Sequence, residues 1–180
     1  MKVVALVGMA GSGKSEVSRI FESAGYKRVR FGDVTDEEVA KRGLKLNEAN
    51  EKLVREALRI EHGPAVYAEL SMPKIDAYLG KSNVIIDGLY SWEEYLVLSK
   101  KYAGDLVLIL VHSSPRTRYT RLAGRRIRPL TKDEAEGRDA AEIENMNKGG
   151  PIAMADYVLI NEASVDEMKS NAERIIDILR

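Results

Sequence analysis

The chain has 180 residues, 44% hydrophobic and 31% charged, which is enough for one domain with its own core and too few for two independent ones. Lysine plus arginine equals aspartate plus glutamate at 28 each, so no global positive field draws the protein onto nucleic acid or an anionic membrane. There is no cysteine, which excludes disulfides, thiolate catalysis and cysteine-ligated zinc. No apolar stretch reaches the ~18 residues of a membrane helix, and the first apolar run is broken by Gly8, too early for a signal peptide. The expectation is a soluble, cytoplasmic protein. Glutamine is absent and Lys, Arg and Glu are abundant, a composition found in heat-adapted proteins.

Short apolar runs alternate with longer amphipathic segments, the pattern of strands joined through helices into a parallel sheet. A strand over 2–8 (KVVALVG) leads through a glycine-rich turn into a helix over 13–24. The next strand, 26–31 (YKRVRF), carries Lys27, Arg28 and Arg30 and reads as an edge strand. Helices follow over 34–42 and 47–61. A strand over 82–88 (SNVIIDG) precedes a helix over 91–102, and a strand over 105–113 (DLVLILVHS) precedes helices over 115–124 and 131–147. The last strand, 156–161 (DYVLIN), precedes a helix over 164–179, opened by Ser164 and Glu167 as a capping box. The strands other than 26–31 are rich in β-branched residues and leucine, as strands covered on both faces should be. The fold class is therefore α/β: one domain, 1–180, with a five-stranded parallel sheet and helices on both faces. Segments 33–80 and 124–150 contain no good strand and read as helical insertions, the first placed to bind an acceptor, the second resembling a lid.

The first turn carries chemistry. Gly8, Met9, Ala10, Gly11, Ser12, Gly13, Lys14 and Ser15 fit G-x-x-x-x-G-K-[ST], with a strand before and a helix after, the context the pattern requires. Glycines let successive amide N–H groups point into one concavity, and the helix N-terminus adds partial positive charge. An ATP triphosphate fits such a loop, with Lys14 on the β- and γ-phosphate oxygens and the Ser15 hydroxyl on Mg²⁺.

Asp87 ends an apolar strand at the edge where open α/β sheets bind ligands, and is placed to orient Mg²⁺ or its waters; an Asp before a Gly is also an ordinary strand exit. Arginines crowd the stretch SPRTRYTRLAGRRIRPL, where Arg118, Arg121 and Arg125 share one helical face. Such a row clamps phosphates, or forms a solvated basic face or nucleic-acid patch. His62 and His112 are far apart in sequence and do not suggest a metal site. Tyr90, Trp92 and Tyr95 suit base stacking or core packing. A GTPase switch is disfavoured, since NKGG at 147–150 lacks the aspartate of a base-reading motif and no glutamine is present.

The phosphate loop, the strand ending in Asp87-Gly88, FGDV at 31–34 and TRLAGRRIRP together resemble the adenylate-kinase and nucleotide-kinase superfamily. FGDV, LRIEHGPA, IDGLYSWEE and ADYVLIN also resemble an archaeal family of adenylate-kinase-related or dephospho-coenzyme-A-kinase-like proteins, over nearly the whole chain. The resemblance implies ATP phosphates on Gly8 to Ser15, acceptor binding around Asp33 and Asp87-Gly88, and lid contacts from Arg121 and Arg125. Asp33 is then an acceptor contact or base. The chain departs from adenylate kinases where two acceptor-phosphate arginines belong, since those places hold Asp36 and Ser91. Arg30, Arg55 and Arg59 either substitute for them or form an exposed stripe paired with Glu51 and Glu56. Arg138, Asp139 and Glu142 match the later lid segment loosely, and a surface salt-bridge helix fits them equally.

The function expected is a Mg²⁺-dependent phosphotransferase moving the ATP γ-phosphate to a nucleotide or nucleotide-like molecule, as a monomer or homodimer, with nucleic acid a disfavoured partner and no membrane. The alternative is an ATPase or an ATP-dependent regulatory or binding protein, associated with RNA or another protein, with no monophosphate acceptor.

Overall fold

The computed structural model describes residues 1–180. Five strands form one parallel sheet: β1 (Val3–Val7), β2 (Lys27–Arg30), β3 (Val84–Asp87), β4 (Leu106–His112) and β5 (Tyr157–Ile160), in the order β2-β3-β1-β4-β5. Nine α-helices connect and flank them: α1 (Lys14–Ser23), α2 (Gly32–Lys41), α3 (Glu48–His62), α4 (Val66–Leu79), α5 (Trp92–Tyr102), α6 (Pro115–Ala123), α7 (Lys132–Glu144), α8 (Gly149–Ala153) and α9 (Val165–Ile178).

β1 is central and wholly buried, so its alternate side chains supply two cores. Val3, Ala5 and Val7 pack with Val29, Val54, Tyr67, Ile75 and Leu98 on the face covered by α2 to α5. Val4 and Leu6 pack with Val17, Phe21, Ile109, Met168 and Ile175 beneath α1 and α9. Helices on both faces of a parallel sheet are thus a direct consequence of a strand apolar at every position.

Parallel pairing brings Leu6 beside Asp87 and Arg30 beside Asp87, while β4 lies on the other side of β1. The carboxyl ends of β1, β3 and β4 therefore meet at one edge, and the glycine loop rises from its middle. β2 occupies a sheet edge, as its charges foretold.

Some elements differ from expectation. Residues 66–79 form α4, which no predicted helix covered; Pro73 sits inside it. Proline reads as a breaker from sequence, but packing of Val66, Tyr67, Ala68, Ser71 and Ile75 outweighs its lost hydrogen bond. α7 ends at Glu144, before the expected 147, because Asn147 takes a left-handed φ of 49° and Met146 O accepts from Trp92 N. α2 begins at Gly32, so Asp33 lies in its first turn and not ahead of it. No helix is long and apolar enough to cross a membrane.

Candidate functional site

The glycine loop is held by its carbonyl groups. Lys14 Nζ donates to Gly8 O at 2.7 Å and Met9 O at 3.0 Å, Arg118 Nη1 to Ala10 O at 3.1 Å, and Asn161 Nδ2 to Ser12 O at 2.9 Å. The amide N–H groups of Gly11, Gly13, Lys14 and Ser15, by contrast, have no acceptor within the chain. Gly13, Lys14 and Ser15 open α1, where helical N–H groups have no intrahelical partner, and with Gly11 these part-exposed donors form a seat for an anion. Gly13 has φ of 99°, and a Cβ there would stand 2.3 Å from Asn161 Nδ2; only glycine lets the loop lie this close to the end of β5.

Burial, and then the charge of Lys148, lower the Lys14 ammonium to about 7, although Glu142 and Asp87 pull the other way. Beside the loop, a cleft of about 240 Å³ is lined by Gly11, Gly13, Lys14, Ser15, Glu16, Arg121 and Arg125. A larger groove of about 620 Å³ between α1 and α9 shares only Glu16 with it.

Asp87 is 4% exposed and its two oxygens have different partners. Oδ1 accepts from Ser15 Oγ at 3.4 Å; Oδ2 accepts from Ser18 Oγ at 3.2 Å and from Arg28 Nη2. The hard oxygen donors Ser15 Oγ and Asp87 Oδ1 suit Mg²⁺, which keeps most of its coordination for water and phosphate. No group of three or more His, Asp or Glu side chains exists to hold a metal by protein ligands alone, and His62 and His112 stand apart at the ends of α3 and β4.

The arginine row divides. Arg121 and Arg125 face the cleft, with Arg121 Nη1 donating to Ser113 Oγ at 2.9 Å. Arg118 turns inward to a buried two-pronged pair with Asp139, so the expected single face of three arginines is corrected to two. One guanidinium buried against one carboxylate repays desolvation that a solvent-facing row would avoid.

Arg30, Asp33, Arg55 and Arg59, the residues expected to bind an acceptor, are mostly engaged with neighbouring side chains. Arg30 binds Asp33 at 2.9 Å and Asp36 at 2.7 Å; Arg55 binds Glu48 at 2.6 Å and Glu51 at 3.5 Å. Glu56 pairs with Lys52 and not with Arg55 or Arg59, and both of these arginines are part-buried, which corrects the exposed stripe. Arg59 stacks on Tyr67 at 4.8 Å, facing Glu94. From the lid-like segment, Arg128 reaches Glu51 at 2.8 Å and Arg138 reaches Glu48 at 3.3 Å, joining the two insertions. Gly88 has φ of 99°, with Tyr90 folded against it. Tyr90 packs on Phe31 and Tyr67, and Trp92 on Tyr95.

Several members of the site have no motif. Glu142 and Lys148 form a buried pair at 2.6 Å, so α7 is not a surface salt-bridge helix. Burial pushes Glu142 up, but Lys148, Arg138 and Lys14 outweigh it and hold the carboxyl at about 2. Burial pushes Glu94 up to about 7. Arg28, Ser18, Ser113 and Asn161 were also missed; the one signal for the last two is their position at the ends of β4 and β5, beside the loop strand.

Residues 4–146 match the AAA domain family. The UPF0200 protein of Thermococcus kodakarensis is 37% identical over 179 residues, covering 97% of this chain and 96% of its own. That of Hyperthermus butylicus is 38% identical over 179 residues, covering 98% and 94%. Among solved structures, TT1252 from Thermus thermophilus matches with a TM-score of 0.66 at 22% identity, covering 99% of this chain and 98% of its own. A shikimate kinase from Bacteroides thetaiotaomicron matches at 0.64 with 14% identity and coverage of 99% and 98%. At such identities the likeness is one of fold: this is the P-loop kinase fold.

Proposed function

The chain belongs to the UPF0200 family, and from its loop geometry we propose that it binds ATP at Gly8 to Ser15 and, with Mg²⁺, transfers the γ-phosphate to a small nucleotide-like molecule. The observation that carries this reading is the set of partnerless amides at Gly11, Gly13, Lys14 and Ser15, in a loop whose first carbonyl groups, Gly8 O and Met9 O, are held by Lys14 Nζ. Arg121 and Arg125 line the same cleft and offset charge on the transferred group. Ser15 and Asp87 would hold Mg²⁺, which neutralises charge on the β- and γ-phosphate oxygens when bound. Asp33, Arg30, Arg55, Arg59 and Gly88 would shape the acceptor side. The protein's part is positioning and exclusion of water, with little covalent work.

A second reading, an ATPase or ATP-dependent regulator, draws on the contacts of Arg128 and Arg138 with Glu51 and Glu48, which close the two insertions on each other. Label transfer from γ-labelled ATP with Mg²⁺ to AMP, CMP, UMP, dephospho-coenzyme A and their dephosphorylated counterparts separates the two. A labelled acceptor supports the transferase; Lys14-dependent free phosphate alone supports the ATPase.

A further inference from the structure

The charge arrangement on the acceptor side says what kind of molecule belongs there. A phosphorylated acceptor needs arginines with unspent charge. Arg30, Arg55, Arg128 and Arg138 each already lie on two carboxylates, contributed by α2, α3 and α7. A phosphate dianion entering here would have to displace those carboxylates and stand beside them in a partly desolvated cleft, an arrangement with strong like-charge repulsion.

Arg59 and Glu94 behave differently. Arg59 on α3 donates from Nη1 to Arg55 O at 3.4 Å, stacks on Tyr67, and brings Nη2 to 3.9 Å from Glu94 Oε1, beyond hydrogen-bond reach. Arg59 Nε, Arg59 Nη2 and Glu94 Oε1 are all buried and have no hydrogen-bond partner. Glu94 is fully buried, and its other oxygen is committed to Tyr90 N at 2.7 Å and Ser91 N at 3.2 Å. Two orphan donors thus face one orphan acceptor beside the loop that follows Asp87. Buried charged atoms are rarely left so, and a group able to donate and accept at one atom satisfies both sides. A hydroxyl is such a group; a phosphate dianion only accepts.

We propose that the acceptor is an uncharged polyhydroxylated molecule, a nucleoside or a sugar without phosphate, seated by one hydroxyl that donates to Glu94 Oε1 and accepts from Arg59. This rests on the phosphotransferase reading above. A second hydroxyl oxygen of the same molecule attacks the γ-phosphorus of ATP. The bond from that phosphorus to the β,γ-bridging oxygen breaks, ADP leaves with its electron pair, and the hydroxyl proton passes to water.

The test uses the full chain with γ-labelled ATP and Mg²⁺ against three sets: ribonucleosides, free sugars and polyols, and nucleoside monophosphates. Label on a member of either uncharged set is expected, and which set it is identifies the source of the hydroxyls. Label on monophosphates alone overturns the inference while leaving the phosphotransferase standing. Free phosphate alone, with no acceptor labelled, overturns both. With the labelled acceptor, Glu94→Gln and Arg59→Lys should each raise acceptor KM about tenfold or more, with kcat changed far less. Acceptor KM unchanged in both variants, at wild-type melting temperature, overturns the Arg59–Glu94 seat.

Discussion

Arg118 and Asp139 meet in a two-pronged ion pair, Nη1 to Oδ1 at 2.9 Å and Nη2 to Oδ2 at 2.6 Å, fastening α6 to α7 behind the glycine loop. Arg118 Nη1 also holds Ala10 O, so the pair braces the lid-like segment and the loop together. Removing one charge leaves the other buried and unpaired, at a cost of about 3 kcal/mol. Asp139→Asn should therefore lower the melting temperature by roughly 10 °C and weaken triphosphate binding. Replacing both partners, Arg118→Met with Asp139→Leu, should recover most of the melting loss. A single variant melting like wild type would contradict the bracing role.

Lys14 links binding to pH. Burial, and then the charge of Lys148, set its folded value at about 7, whereas an unfolded lysine titrates near ~10.4. Between these values the unfolded chain carries more protons at this position, so the contribution of Lys14 to stability rises with pH through that window. Lys14→Met should flatten the rise, as read from denaturant midpoints above neutral pH. A triphosphate restores the charged form, so binding at about pH 8 should take up roughly one proton in wild type and none in Lys14→Met. Calorimetry in buffers of different ionisation heat measures this; proton release would refute it.

Arg28 positions Asp87. With Oδ2 held by Arg28 and Ser18, Oδ1 is the oxygen left facing Ser15. Arg28→Met should cost about 2 kcal/mol of stability and raise the Mg²⁺ concentration needed for half-maximal ATP turnover. A normal Mg²⁺ dependence would assign Arg28 to stability alone.

Gly13→Ala should abolish triphosphate binding, because the new Cβ meets Asn161 Nδ2 at 2.3 Å and φ of 99° strains any L side chain. Titration with inorganic tripolyphosphate reads this without reference to any acceptor; wild-type affinity would contradict the cradle geometry.

The sheet was legible because its signals are local. Val3–Val7 and Val84–Asp87 announce buried strands by composition, and the basic residues of Lys27–Arg30 mark an edge. The glycine loop was legible because the chemistry is carried by spacing. What was not legible depends on partners distant in sequence. Arg118 and Arg121 look alike on a helical wheel, and only Asp139, 21 residues on, turns one of them inward. Arg28 reads as an edge-strand charge until parallel register brings Asp87 within reach. α4 was hidden by Pro73, whose breaker character is local while the packing that overrides it is not.

The measurement that tests the central claim most directly is calorimetric titration of ATP, ADP and adenosine with Mg²⁺ into wild type and Lys14→Ala, each with its melting curve. The account predicts affinity that grows with the number of phosphates, is absent for adenosine, and is lost in Lys14→Ala although that variant still melts as a folded protein. Equal ATP affinity in the two proteins, both folded, would remove the phosphate from the loop and contradict the account.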